Sequence, residues 1–137
     1  MSLEIVCIAL VAIFWGGYPL VARWSGSGGA LGALVISLAG LVPITLAVLW
    51  QAGAERPSPS ALVKLGIAGV MMGCGLIAFN RVANSRLDAS ISIPIADTAM
   101  LIVTTLGAIY FFQEAVTPRK LVGLALLVSG IVTLRPV

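Results

Sequence analysis

Long apolar blocks alternate with short polar segments along the whole chain. The blocks predict helices over residues 3–24, 30–50, 61–82, 90–112 and 119–134. A helix needs roughly 20 apolar residues to cross a bilayer, so we interpret the pattern as an all-α integral membrane protein with five transmembrane helices. A membrane β-barrel would instead show shorter segments that alternate apolar and polar residues. We expect residues 1–137 to form a single transmembrane domain.

The fourth block is unusual because its polar residues follow a helical period. They recur every seven positions, about two helical turns, so they lie on one face. These residues are Ser90, Asp97 and Thr104, with Pro94, Thr98 and Thr105 beside them. Ionising a carboxylate in hydrocarbon costs several kcal/mol, and acids inside a span are functional by default. We therefore favour Asp97 as a site for a proton or a cationic substrate group. The alternative is a structural carboxyl that holds helices together.

The first block contains F-W-G-G-Y-P at residues 14–19. Trp15 lies in mid-helix, where it either packs against lipid or core or forms an aromatic wall of a binding cavity with Tyr18 one turn away. Gly16 and Gly17, together with Pro94, would ease movement of the helices. Small residues that predict close helix packing recur elsewhere, at Gly69 and Gly73 with G-x-x-x-G spacing, and at Gly123 and Gly130.

Composition narrows the classes of function. The chain is 60% hydrophobic and 9% charged, with mean hydropathy +1.13, whereas soluble chains carry about 25% charge. The net charge of +3 forms no basic patch, so we expect no nucleic-acid partner. There is no His, and Cys7 and Cys74 lie in apolar segments, which indicates small buried hydrophobes and no metal or cofactor. Since no nucleophile–base pair or phosphate-binding loop is visible, an enzyme is the least favoured class.

Basic residues are balanced across the predicted membrane. One side would hold Arg56, Lys64, Arg119 and Lys120, and the other Arg23, Arg81, Arg86 and Arg135. Orientation follows an imbalance in these counts, and here the eight Lys and Arg residues divide four against four. Dual insertion would permit an antiparallel homodimer. The alternative is that one loop's charges, or a partner, set a single orientation.

Residues 110–114 read Y-F-F-Q-E, and residues 117–134 read T-P-R-K-L-V-G-L-A-L-L-V-S-G-I-V-T-L. With these motifs, the segment from residue 94 to 134 resembles the second part of an EamA-type domain of the drug/metabolite transporter superfamily. Glu114 matches the family's acidic position, while Gln113 replaces the usual glycine. The start, A-I-F-W-G-G-Y-P-L-V-A-R, resembles the family's first helix, so the likeness covers essentially the whole chain as one five-helix repeat.

This resemblance implies a secondary transporter that exports or exchanges a small organic metabolite or drug, in a bacterial or archaeal inner membrane. More distantly, the chain resembles the small multidrug resistance transporters, which work as antiparallel dimers. Those proteins carry a proton-binding glutamate in mid-helix 1, where this chain has Phe14, Trp15 and Gly16. The residue that couples transport to protons in those proteins is therefore absent here. The mid-span acid of this chain is Asp97, on a different helix, and the resemblance does not transfer the role to it. The alternative function is a half-transporter or an accessory subunit of a heteromeric transporter or lipid-carrier flippase.

Overall fold

The computed structural model describes residues 2–51, 53 and 56–134. Those residues form five helices and no strand, which confirms the all-α prediction. The helices are α1 (Leu3–Trp24), α2 (Gly29–Trp50), α3 (Pro59–Ala83), α4 (Ala89–Phe112) and α5 (Pro118–Thr133). The predicted boundaries agree with these to within two residues.

Four of the five helices are long and apolar enough to cross a membrane. They contain 22, 22, 25 and 24 residues in α1 to α4. Helix α5 has 16 residues and is therefore about 24 Å long at 1.5 Å per residue, less than the ~30 Å hydrocarbon core. Its crossing of the bilayer stays a prediction.

Local chemistry explains where two of the helices begin. The Ser58 hydroxyl accepts a hydrogen bond from the Ala61 N–H at 3.3 Å, and Pro59 follows as the first helical residue. The same arrangement starts α5, where Thr117 Oγ1 accepts from the Lys120 N–H at 3.3 Å. A hydroxyl cap followed by proline satisfies a free N–H and presets the backbone angle. Thr117 therefore caps α5, and α3 begins two residues earlier than predicted because of the Ser58 cap.

The chain divides into two compact units, Met1–Asn84 and Ser85–Val137. In the first, called unit 1 below, α3 contacts both α1 and α2. In the second, called unit 2, α4 contacts α5. The prediction of a single transmembrane domain stays a prediction.

Large apolar side chains lie mostly on the outside of the chain. Trp24 and Trp50, at the ends of α1 and α2, are 89% and 90% exposed. Apart from Ile93, the described residues that are buried are small or polar: Pro19, Gly32, Ala33, Asn80, Ala83 and Ser92. A helix surface of this kind needs lipid or another protein chain to cover it, as in membrane-spanning bundles.

Candidate functional site

Asp97 lies in the ninth position of α4, well inside the span. Its side chain is half-buried. Within the part of the chain that the structure describes, nothing forms a hydrogen bond or an ion pair with its carboxylate. A carboxyl group in a span is costly unless it is neutral or paired. Asp97 is therefore a costly group for which the described residues supply no partner.

The backbone around Asp97 is also altered, by Pro94 one turn before it. Pro94 has no N–H, so the carbonyl of Ser90 loses its usual helical donor. The Thr98 hydroxyl donates to the Pro94 carbonyl at 2.7 Å. Thr98 thus uses its proton within the helix and keeps its oxygen lone pairs as acceptors beside Asp97.

Ser90 and Thr104, the other two residues of the seven-residue period, are not covered by the described part of the chain. Ser90 and Thr104 are exposed, one on each side of Asp97 along the helix. The neighbouring Thr105 hydroxyl donates to the Leu101 carbonyl at 2.8 Å, as hydroxyls in helices commonly do. The stripe therefore offers polar groups along about four turns of one helix that the described part of the chain leaves open.

The predicted aromatic residues come together within unit 1. Trp15 and Tyr18 meet edge to face with ring centroids 6.2 Å apart. Tyr18 also lies 5.9 Å from Phe79 of α3, centroid to centroid, so the cluster joins α1 to α3. Trp15 remains exposed and Tyr18 is half-buried. The cluster is both a packing contact and an aromatic surface.

The glycines predicted to mediate close packing have open space beside them. A Cβ placed on any of them would meet nothing within 4 Å: Gly16, Gly17, Gly69, Gly73, Gly123 and Gly130. Their packing and hinge roles therefore stay predictions that concern contact with another chain.

One glycine that the sequence reasoning passed over is sterically required. A Cβ on Gly32 would lie 2.6 Å from the Ser27 carbonyl oxygen and 2.8 Å from Asn80 Nδ2. Asn80 is 2% exposed. It accepts two hydrogen bonds from Asn84 Nδ2, one to its side-chain Oδ1 at 2.8 Å and one to its backbone carbonyl at 2.9 Å.

A charged group belongs to the same cluster. Arg23 Nη1 donates to the Ala83 carbonyl at 2.9 Å, which joins the end of α1 to the end of α3. We call Arg23, Gly32, Asn80, Ala83 and Asn84 the polar corner. The only sequence signal for it was an Asn-Arg pair at a helix end, which does not reveal a contact with residues 50 positions away.

Ser92 is a second polar residue that the sequence reasoning missed. It is 1% exposed, and its hydroxyl has no hydrogen-bond partner in the described part of the chain. Ser92 lies outside the seven-residue period of the polar stripe, so the pattern gave no reason to single it out.

The connection from α4 to α5 contains Glu114, the residue that matches the acidic position of EamA-type domains. Glu114 Oε2 pairs with Lys120 Nζ at 2.7 Å, and both side chains are exposed. Gln113 ends α4 in the left-handed conformation with φ +52°, and its Nε2 donates to the Tyr110 carbonyl at 2.7 Å. Glycine adopts this conformation most easily, which explains why glycine is usual at the position that Gln113 occupies.

Within the described residues, no three or more His, Cys, Asp or Glu side chains are grouped so as to hold a metal ion. The polar stripe of α4 itself offers one carboxyl group, that of Asp97, and the hydroxyls of Ser90, Thr98, Thr104 and Thr105. It suits reversible binding of protons and small solutes.

Comparison with known proteins agrees with this chemistry. A family model, described as the EamA-like transporter family, matches residues 2–135. Searches against curated proteins and against solved structures gave no match. Because the family model covers nearly the whole sequence and α1 to α4 are long enough to span a bilayer, the chain is an integral membrane protein that belongs to the EamA-like transporter family.

Proposed function

We propose that the protein is a proton-coupled secondary transporter that exports or exchanges a small organic metabolite or drug. Two copies in opposite orientations would form the transport pathway and alternate their access to the two sides. Asp97 would bind either a proton or a cationic group of the solute. The observation that carries this proposal is a half-buried carboxyl group in a span, with no partner in the described part of the chain.

Coupling follows from exclusive occupancy of one carboxyl group. A carboxylate in hydrocarbon is costly, so it favours a bound proton or a bound cation at all times. If the proton must leave Asp97 before the solute binds, the carboxyl group carries only one of them at a time. Movement of protons across the membrane in one direction then drives movement of the solute in the opposite direction. Alternating access around a midplane site is the common mechanism of transporters built from inverted halves.

The rest of the polar stripe would orient the solute. Ser90 and Thr104 are exposed and lie on the Asp97 face, and Thr98 keeps acceptor capacity beside it. Pro94 removes one helical hydrogen bond and so lowers the cost of bending α4 during the transport cycle.

The aromatic cluster supports a hydrophobic or cationic solute. Trp15 is exposed and held edge to face by Tyr18. Aromatic faces attract cations and apolar groups, by about 0.5–2 kcal/mol for a cation depending on its hydration. Trp15 and Tyr18 would thus contact the solute through their rings, with Gly16 and Gly17 beside them allowing close approach of a second helix.

The antiparallel homodimer rests on the balance of basic residues. Arg135 lies outside the described residues, and the other seven Lys and Arg side chains lie within them, in loops or towards the ends of helices. Balanced counts give no preferred orientation. The open glycine surfaces on α1, α3 and α5 would supply the contacts between copies.

Transport by the purified protein alone is the direct test. Proteoliposomes would carry a pH gradient and meet a panel of cationic, amino-acid-like and lipid-like compounds. We expect a solute-dependent current in the unmodified protein and none with Asp97→Asn. Asp88→Asn is the matched control, because it removes the same charge at the start of α4, where the side chain makes no capping bond.

Three results would count against the proposal in different ways. A current that persists in Asp97→Asn would remove the carboxyl group from the mechanism. An equal loss in Asp88→Asn would show that charge, and not position, matters. No current from either the unmodified protein or its variants, with any compound, would favour the alternative of a subunit that needs a different partner chain.

Orientation can be tested with single cysteines. In a background with Cys7→Ser and Cys74→Ser, Ser60→Cys and Ser85→Cys report the two sides of the membrane. A maleimide that cannot cross the membrane should label about half of each in intact cells if insertion is dual. Complete labelling of one variant and none of the other would establish a single orientation and exclude the antiparallel homodimer.

A further inference from the structure

Helices α2 and α3 leave an open groove between them in unit 1. Its volume is about 370 Å³, within the ~300–1,000 Å³ typical of ligand sites. The groove exists because several residues along it are small. It is lined by Ala30, Ala33, Leu34, Ser37, Gly73 and Ile77. Apart from the Ser37 hydroxyl these side chains are apolar, so the groove suits a hydrocarbon chain.

One end of the groove lies at the N-terminus of α2. Ala30 lies in the first turn of α2, whose cap, Gly28, has no side chain to accept a hydrogen bond from the free N–H groups there. The partial positive charge of a helix N-terminus is therefore uncompensated at this point. Arg81 lies in the last turn of α3, the helix that packs against α2, and Arg23, in the last turn of α1, donates to the Ala83 carbonyl at the end of α3. Among the described acids of unit 1, Glu4 is in the first turn of α1, at the opposite end of that helix.

An unsatisfied donor lies at the same place. Asn80 is 2% exposed, and its Nδ2 has no hydrogen-bond partner in the described part of the chain. Nδ2 lies 2.8 Å from the position that a Cβ would take on Gly32, so it faces the first turns of α2. An unpaired buried donor is costly and is expected to have a partner that the chain itself does not provide.

We propose that this groove binds an anionic phospholipid, with one acyl chain between α2 and α3 and the phosphate at the N-terminus of α2. Helix N-termini bind phosphate through free N–H groups and the helix dipole. Trp24 lies at the adjacent end of α1 and is 89% exposed, which is typical of an aromatic anchor at headgroup depth. The apolar groove and the positive end are thus positioned as the two parts of one lipid would require.

Lipid retention by the purified protein tests the proposal. The protein would be exchanged into detergent with equal amounts of phosphatidylglycerol and phosphatidylcholine of identical acyl chains, and the bound lipid counted by native mass spectrometry. We expect a preference for phosphatidylglycerol of roughly 25-fold, since each of two basic side chains near the headgroup contributes about fivefold. Inorganic phosphate, which has no acyl chain, should not displace the lipid.

Matched variants locate the two parts of the site. Ala30→Leu fills the groove and should abolish retention, whereas Ala39→Leu, at an exposed position of α2 outside the groove, should leave it unchanged. Arg81→Gln should reduce the headgroup preference about fivefold, and Lys64→Gln, on α3 but far from the corner, should not.

Four outcomes would overturn the proposal. The first two are equal retention of both lipids and displacement of the lipid by inorganic phosphate. The third is unchanged retention in Ala30→Leu, and the fourth is an equal change in retention or headgroup preference in a variant and its control. None of these measurements requires transport, so the result is independent of the proposed function.

Discussion

The polar corner of unit 1 and the polar stripe of α4 use polar side chains in opposite ways. In the corner, Arg23 and Asn84 donate to groups of α3, and Asn80 Oδ1 accepts from Asn84, so that only Asn80 Nδ2 lacks a partner among the described residues of the corner. In the stripe, Thr98 bonds only to its own helix and Asp97 has no partner in the described part of the chain. Polar groups that are partnered within a fold stabilise it, while those left unpartnered in a span are available to a ligand.

This comparison predicts a division of effects. Substitutions in the corner should lower stability and leave the transport rate of the folded protein unchanged. Substitutions in the stripe should lower the transport rate and leave stability unchanged. The predictions below test that division, beginning with the largest expected change in stability.

Gly32→Leu should destabilise the protein most. Its Cβ would lie 2.6 Å from the Ser27 carbonyl oxygen, which is backbone and cannot move aside freely. Overpacking of this kind costs about 1–3 kcal/mol. Thermal unfolding in detergent, followed by circular dichroism, measures the change. Gly66→Leu is the control, because a Cβ there meets nothing within 4 Å. Equal melting temperatures for the two variants would mean that the corner is not tightly packed.

Arg23→Gln should have the next largest effect. It removes the charged donor that bonds the Ala83 carbonyl at 2.9 Å. Hydrogen bonds from charged groups contribute about 1.5–3 kcal/mol when buried, and partial exposure here places the expected loss near the lower value. Arg86→Gln serves as the control in the same unfolding experiment. If both variants unfold at the same temperature as the unmodified protein, the joint between α1 and α3 contributes little.

Gln113→Gly should produce the smallest change, and in the stabilising direction. Glycine removes the strain of the left-handed backbone at φ +52°, which raises the free energy of unfolding by about 1–2 kcal/mol. The greater chain entropy of glycine when unfolded offsets about 0.5–1 kcal/mol, and the exposed bond to the Tyr110 carbonyl is lost. A net gain below about 1 kcal/mol should appear as a slightly higher melting temperature. A lower melting temperature would show that the Gln113 side-chain bond matters more than the backbone.

The sequence predicted the helices well because each is encoded locally. Apolar block length defines α1 to α4, and Thr117 with Pro118 defines the start of α5. The seven-residue period placed Ser90, Asp97 and Thr104 on one face, since a helix repeats its faces every two turns. Trp15 and Tyr18 were placed together from their spacing along one helix, and their rings do meet, whereas the contact of Tyr18 with Phe79 joins two helices.

What the sequence could not show are contacts between distant segments. The sequence does not distinguish Gly32 from the glycines that have open space beside them. Gly32 cannot carry a side chain because Asn80, from another helix, lies against it. Arg23 was interpreted as a boundary charge, although its guanidinium bonds to the end of α3. Both depend on packing of α2 and α1 against α3, which no local pattern encodes.

The most direct test of the account is transport per folded molecule in Asp97→Asn, measured beside its melting temperature. We predict that the solute-dependent current driven by a pH gradient disappears while the melting temperature stays within about 2–4 °C of the unmodified protein, a shift that corresponds to less than ~1 kcal/mol. A current that survives, or a loss of current that merely follows unfolding, would contradict the claim that Asp97 is held for a ligand and not for the fold.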